Sequence, residues 1–239
     1  MGGVEVAIGT VQSGRVALTG SGMHRVTIFE RGGGPRKILA VGAHADDIEI
    51  GCGGTILRLL EENPDMEVYW VVLGAAPQRR AEAIRSAKLF LENSRLSEII
   101  VKEFRDGYFP YIGTEIKDFF EELKRKYLPD VVLTHYRDDL HQDHRLVSQL
   151  TWNTFRNHLI LEYEIVKYDG DLGVPNFFVT LTESMVQKKI QTILECFQSQ
   201  KNKGWFTEDT FTSILRLRGI ESNAPDKYAE AFYSRKMVY

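Results

Sequence analysis

From Lys37 onward, short apolar runs alternate with longer stretches whose apolar residues recur at helical spacing. Strand-like runs cover 37–43, 67–74, 97–104 and 130–135. Helix-like segments lie between them at about 51–63, 78–92 and 114–127. Ile56, Leu59 and Leu60 share one face of the first helix, and Ile116, Phe119, Phe120 and Leu123 share one face of the third. Strands that alternate with helices predict an α/β fold with a mostly parallel, doubly wound sheet. The pattern then predicts a helix over about 143–158 and strands at Tyr163–Tyr168 and Phe177–Leu181. Helices over about 183–198 and near 208–217 and a last apolar run, Tyr228–Tyr233, complete it.

Residues 1–36 read differently. Alternating segments at Val4–Ile8, Arg15–Leu18 and Arg25–Phe29 are separated by glycines, ending in Gly32, Gly33 and Gly34. They are expected to form a β-rich leader or edge strands, or to stay disordered. The expected division is this leader at 1–36 and a single α/β domain at 37–239, with 150–239 as a C-terminal elaboration adapted to substrate.

The apolar run Ile38–Ala43 stops abruptly at His44, Asp46 and Asp47. A second polar cluster, His141, Asp143 and His144, follows the apolar run Val131–Thr134. Charged groups are almost never fully buried unless they are paired or bind a metal. Ligands of doubly wound sheets bind outside the carboxyl ends of the strands, where both clusters sit. One metal site built from two loops is therefore expected, with His44, Asp47 and His144 as ligands. Two histidines and one carboxylate leave a coordination position open, the pattern of a catalytic zinc. Ferrous iron suits the same set. Asp46, beside the metal but not on it, is placed to take a proton from water as general base. His141 is a candidate acid, or a stabiliser of an oxyanion while protonated. Asp143 is expected to orient His141 or another histidine from behind.

Blander readings compete. Asp46, Asp47 or Asp143 could simply cap the helix that follows it. Gly51, Gly53 and Gly54 lack phosphate-loop spacing and are expected to let a helix pack closely on the sheet. Cys52 reads as a small buried residue. Arg79 and Arg80 follow the second strand and could grip an anionic or hydroxyl-rich substrate. Alternatively, Arg79 pairs with Glu82 on an exposed helical turn. Asp106 follows the third strand, as a turn or as a substrate-binding residue. Asp138 and Asp139 read as loop solvation.

Bulk composition narrows the class. The formal net charge is −3 with scattered Lys and Arg, so no nucleic-acid partner is expected. No run of 18 apolar residues occurs, so no membrane span is expected. Met1–Arg15 lacks the pattern of a secretory signal. Two cysteines, Cys52 and Cys196, make neither a disulfide framework nor a thiolate zinc site and suit a reducing cytoplasm.

The segment Ala43-His44-Ala45-Asp46-Asp47, followed by Ile50-Gly51-Cys52-Gly53-Gly54, together with His141-Gln142-Asp143-His144, resembles the LmbE-like or PIG-L deacetylases. The resemblance covers about 37–150. It implies a Rossmann-like fold and zinc-dependent removal of acetyl from an N-acetylated sugar conjugate. It implies zinc on His44, Asp47 and His144, with Asp46 as base and His141 stabilising or protonating the tetrahedral intermediate. Arg79 resembles an arginine that the family places near substrate hydroxyls. Ala45 stands where the family usually has proline, which bears on loop stiffness and not on ligation. The rival expectations are another metal-dependent amidase or esterase, or an inactive sugar- or nucleotide-binding module. The aromatics Trp205, Phe206, Tyr228, Phe232 and Tyr233 suit sugar stacking, ordinary core or the interface of a homo-oligomer.

Overall fold

The computed structural model describes residues 37–238, so the leader expected at 1–36 lies outside the described residues. The elements run β1 (Lys37–His44), α1 (Asp47–Glu62), β2 (Glu67–Gly74), α2 (Pro77–Phe90), β3 (Leu96–Val101), α3 (Gly113–Lys126), β4 (Val131–His135) and α4 (Gln142–Thr154). Then follow β5 (Leu159–Tyr163), β6 (Phe177–Leu181), α5 (Glu183–Cys196), α6 (Glu208–Glu221) and β7 (Tyr228–Ser234). The strands form one seven-stranded sheet in the order β3-β2-β1-β4-β5-β7-β6. The first five of these neighbours pair in parallel, and β7 runs antiparallel to both β5 and β6. The expected mostly parallel α/β sheet is the observed architecture.

Alternation along β1 divides its side chains between two cores. Ile38 and Ala40 join the core under α1, α2, α5 and α6, while Leu39, Val41 and Ala43 join the core under α3 and α4. Both faces are covered, which is why the parallel strands read as continuous apolar runs. The chain crosses from β1 to β2 on one side and returns to β4 on the other. The crevice opened by that reversal lies between the ends of β1 and β4. His44 closes the first strand and His135 the second.

Two contacts hold α1 against the sheet. A Cβ on Gly51 would lie 2.2 Å from the Tyr163 ring, so only glycine permits this approach. The Tyr163 hydroxyl reaches past it to donate to the Val41 carbonyl at 2.6 Å. Further along, the buried Glu230 of β7 accepts from the backbone N–H groups of Gly54 and Thr55 at 2.8 and 2.6 Å. Lys189 of α5, also buried, pairs with Glu230 at 2.6 Å and donates to the Ile50 carbonyl. The C-terminal third thus locks directly onto the helix that starts at Asp47.

Several boundaries differ from the sequence reading: α1 begins at Asp47 and not near 51, β3 ends at Val101 and not at 104, and two more differ further along. The helix expected to reach 158 ends at Thr154, where Phe155 N–H closes on Thr151 and a turn brings His158 N–H to the Phe155 carbonyl. The strand expected at 163–168 instead spans Leu159–Tyr163. Its partner β4 offers only Val131–His135, and the parallel register pairs these with Leu159–Tyr163. Past Tyr163 the pairing with both β4 and β7 stops, and the chain leaves the sheet.

Candidate active site

The turn after β1 brings its polar cluster onto the first residues of α1. Asp46 occupies the N-cap position without a side-chain cap bond, while the Asp47 carboxylate folds back to accept from His44 N–H at 2.6 Å. Neither aspartate is spent on capping the helix. Both are buried, at 5% and 4% exposure.

The second cluster comes from the start of α4. His144 Nε2 lies 3.1 Å from His44 Nδ1, although the residues are 100 apart in sequence. Asp47 Oδ2 lies 3.5 Å from His44 Nδ1 and 3.6 Å from His144 Nε2. A tetrahedral ion with ligands at about 2.0–2.1 Å separates them by about 3.3 Å. Two imidazole nitrogens and a carboxylate oxygen at these spacings suit a divalent cation.

The electrostatics point the same way. Burial works against charge on His44, but Asp47, Asp106 and Asp143 together raise its pKa well above the ordinary 6.5. Burial also opposes charge on Asp47, yet the His144, His135 and His44 rings hold it well below the usual carboxylate range. Burial and the neighbouring His135 push His144 down to about 3, so its Nε2 keeps a lone pair at neutral pH. Positive charge is thus favoured on His44, while His144 stays neutral.

Asp46 faces a different partner. Arg79, in the first turn of α2, places a guanidinium nitrogen 2.5 Å from Asp46 Oδ1. Burial raises the Asp46 pKa, and Arg79 opposes that rise. The alternative pairing of Arg79 with Glu82 is not seen, because Glu82 accepts from Ser199. Arg80 turns away from this group and donates to the Val101 carbonyl at 2.8 Å.

His141 caps α4, its Nδ1 accepting from Asp143 N–H at 3.2 Å. With Nδ1 so engaged, the neutral ring carries its proton on Nε2. Burial, then the charge of His44, lowers its pKa. The imidazolium expected of His141 from sequence is thus disfavoured, and a neutral N–H donor takes its place. Its ring centroid sits 4.9 Å from that of His44 and 4.5 Å from that of His144.

The Asp143 carboxylate does not serve His141. It accepts from Gly107 N–H at 2.6 Å and Phe109 N–H at 3.2 Å, and lies 3.2 Å from His44 Nε2. Asp106 Oδ1 lies 3.1 Å from that same His44 nitrogen. The residue expected to contact substrate thus sits on the far side of the His44 imidazole, with its pKa lowered to about 2 chiefly by that hydrogen bond.

Two residues escaped the sequence reading. Asp139, taken for loop solvation, is 2% exposed and holds His144 Nδ1 at 2.9 Å. His135 is fully buried, stacks on His144 with centroids 3.9 Å apart and lies 3.1 Å from Asp47 Oδ2. Its signal was its place at the end of β4, matching that of His44 at the end of β1. Cys52 is buried and burial raises its thiol pKa well above the ordinary range, which removes it as a nucleophile.

Residues 39–155 match the family described as PIG-L: GlcNAc-PI de-N-acetylase. The whole fold is similar to solved structures. A conserved protein, TT1542, from Thermus thermophilus superposes with a TM-score of 0.68 at 22% identity, over 84% of this chain and 96% of its own. N,N'-diacetylchitobiose deacetylase from Pyrococcus horikoshii gives 0.61 at 21% identity, over 84% of each chain. GalB, the 4-carboxy-2-hydroxymuconate hydratase from Pseudomonas putida, gives 0.68 at 17% identity, over 85% of this chain and 98% of its own. At such identities the likeness shows a shared fold, and that fold carries more than one chemistry. Among the described residues no helix is long and apolar enough to cross a membrane.

Proposed function

From the membership of this chain in the PIG-L family through residues 39–155, we propose that it hydrolyses the acetamide of an N-acetylated sugar conjugate, releasing acetate and a free amino sugar. The observation that carries this reading is the convergence of His44 Nδ1, Asp47 Oδ2 and His144 Nε2 within 3.1–3.6 Å of one another, with the buried Asp46 alongside. His44, Asp47 and His144 would hold the cation, zinc in the first place, with ferrous iron suited to the same donors. When bound, such an ion supplies Lewis acidity toward the acetyl carbonyl and lowers the pKa of water to about 7.

The chain's own groups do the rest. Asp46 takes a proton from the attacking water. Arg79 keeps Asp46 oriented and opposes the rise in pKa that burial causes, which favours the ionised form a base needs. The His141 Nε2–H, neutral in this arrangement, donates a hydrogen bond to the oxygen on which negative charge develops. The C–N bond then breaks, the nitrogen receives the proton that Asp46 removed, and acetate leaves. Asp143 and Asp106 accept from His44 Nε2–H and so fix which nitrogen faces the shared point. The two free cysteines, both buried, suit a cytoplasmic setting.

The test is acetate release from a panel of N-acetylated sugar conjugates, made with metal-loaded protein beside an Asp46→Asn control. Release that disappears with Asp46→Asn supports the reading. Hydrolysis confined to esters or non-acetyl amides selects the rival hydrolase. Metal binding without hydrolysis of any panel member selects a binding module.

A further inference from the structure

Asp139 lies between the two histidines of the second cluster and makes a contact with each. Its Oδ1 accepts from His141 N–H at 2.7 Å, and its Oδ2 lies 2.9 Å from His144 Nδ1. Lys167, from the segment that leaves β5, donates to that same Oδ2 at 3.0 Å. We propose that Asp139, held in place by Lys167, is a positioning residue that fixes His144 as its Nδ1–H tautomer and so presents the Nε2 lone pair to the point shared with His44 and Asp47. The inference rests on the metal site proposed above.

Asp139 is a buried acceptor with no proton to give, so the nitrogen that faces it must carry one. The opposite tautomer would set the Nδ1 lone pair against a carboxylate at 2.9 Å. A carboxylate behind a ligating imidazole fixes both tautomer and ring orientation.

Lys167 explains how a 2%-exposed carboxylate stays in place. Its ammonium also pairs with Asp171, whose Oδ2 accepts from Leu140 N–H at 2.8 Å. One largely covered cation therefore sits between two carboxylates and ties the segment after β5 to the loop that leads into α4. Without it, Asp139 and Asp171 would repel across a poorly solvated gap. The residues from Lys167 to Asp171 belong to the C-terminal third, so the support for His144 comes from outside the segment that carries both motifs.

Two measurements test this, neither of them an activity assay. Long-range proton–nitrogen NMR of the metal-free protein reports the tautomer of His144, and competition with a chromogenic chelator reports zinc affinity. The parent is expected to show the Nδ1–H form alone. Asp139→Ala is expected to populate the Nε2–H form and to bind zinc about 10–100-fold more weakly. Asp139→Asn, which keeps a neutral acceptor, is expected to fall between the two. Lys167→Met is expected to weaken zinc binding by at least about threefold while Asp139 itself remains. Should Asp139→Ala fail to fold, Asp139→Asn decides: parent-like tautomer and affinity overturn the proposal, and a change in both supports it. For a folded Asp139→Ala, zinc affinity within about twofold of the parent and an unmixed Nδ1–H signal overturn it. A parent with the Nδ1–H form and tight zinc, but no acetate release, overturns the proposed function and leaves this proposal standing.

Discussion

The Arg79 guanidinium lies 2.5 Å from an Asp46 carboxylate oxygen, joining the first turn of α2 to the end of β1. Neighbouring carboxylates thereby receive opposite treatment. Asp47 is held ionised by three histidines, while Asp46 is raised by burial and drawn back by a single arginine. Separate environments of this kind let adjacent acidic groups take different roles.

The first prediction concerns pH. Asp46 must be ionised to act as a base, so kcat/KM should fall as pH drops through its raised pKa. Arg79 lowers that pKa, so its removal raises it further. In Arg79→Gln the acid limb of the kcat/KM profile should therefore move to higher pH, and in Arg79→Lys it should move less. An acid limb that stays in place in Arg79→Gln would assign that titration to another group.

Asp46→Asn should lower kcat by about 10²–10⁴-fold, the usual contribution of a positioned general base. Metal content should stay near that of the parent, because Asp46 is not among the three converging donors. Kinetics and elemental analysis on one preparation separate these outcomes. Loss of metal together with activity would place Asp46 among the ligands.

Cation binding should release a proton. His44 holds its proton to a pH above 6.5, and an ion on Nδ1 must displace it. Apparent zinc affinity should thus weaken steadily as pH falls below that raised pKa. Calorimetry in buffers of different ionisation enthalpy would count the protons released. A pH-independent affinity would show that His44 gives up no proton on binding.

Gly51→Ala should destabilise the fold by at least about 1–3 kcal/mol through overpacking, because the Tyr163 ring it meets is anchored on Val41. Adding Tyr163→Leu should recover part of the loss, and a double-mutant cycle by denaturant unfolding would measure the coupling. Simple additivity would show that α1 and β5 are not in the tight contact described.

Lys189→Met should cost about 3–5 kcal/mol, since it strands a buried Glu230 charge. Lys189→Met with Glu230→Gln should be milder than Lys189→Met alone. Thermal unfolding of the parent and both variants provides the check.

Local pattern determined much of this protein. The runs from Lys37 to His135 specified strands and helices because burial on both faces of a parallel sheet leaves long apolar stretches that need no knowledge of their partners. The abrupt change at His44 and at His141 marked the chemistry, because buried charge demands a reason. The fold decided what depends on distant partners. β5 ends where its pairing with β4 and β7 stops, so the alternation after Tyr163 misled. Asp139 looked like any loop aspartate until Lys167 and His144 closed on the same carboxylate oxygen. The proton of His141 went to Nε2 because a backbone N–H occupied Nδ1. The division between Arg79 and Arg80 followed from which side of α2 faces the β1 end. Each of these outcomes turns on a few ångströms between groups tens of residues apart, and one-dimensional spacing carries no such distance.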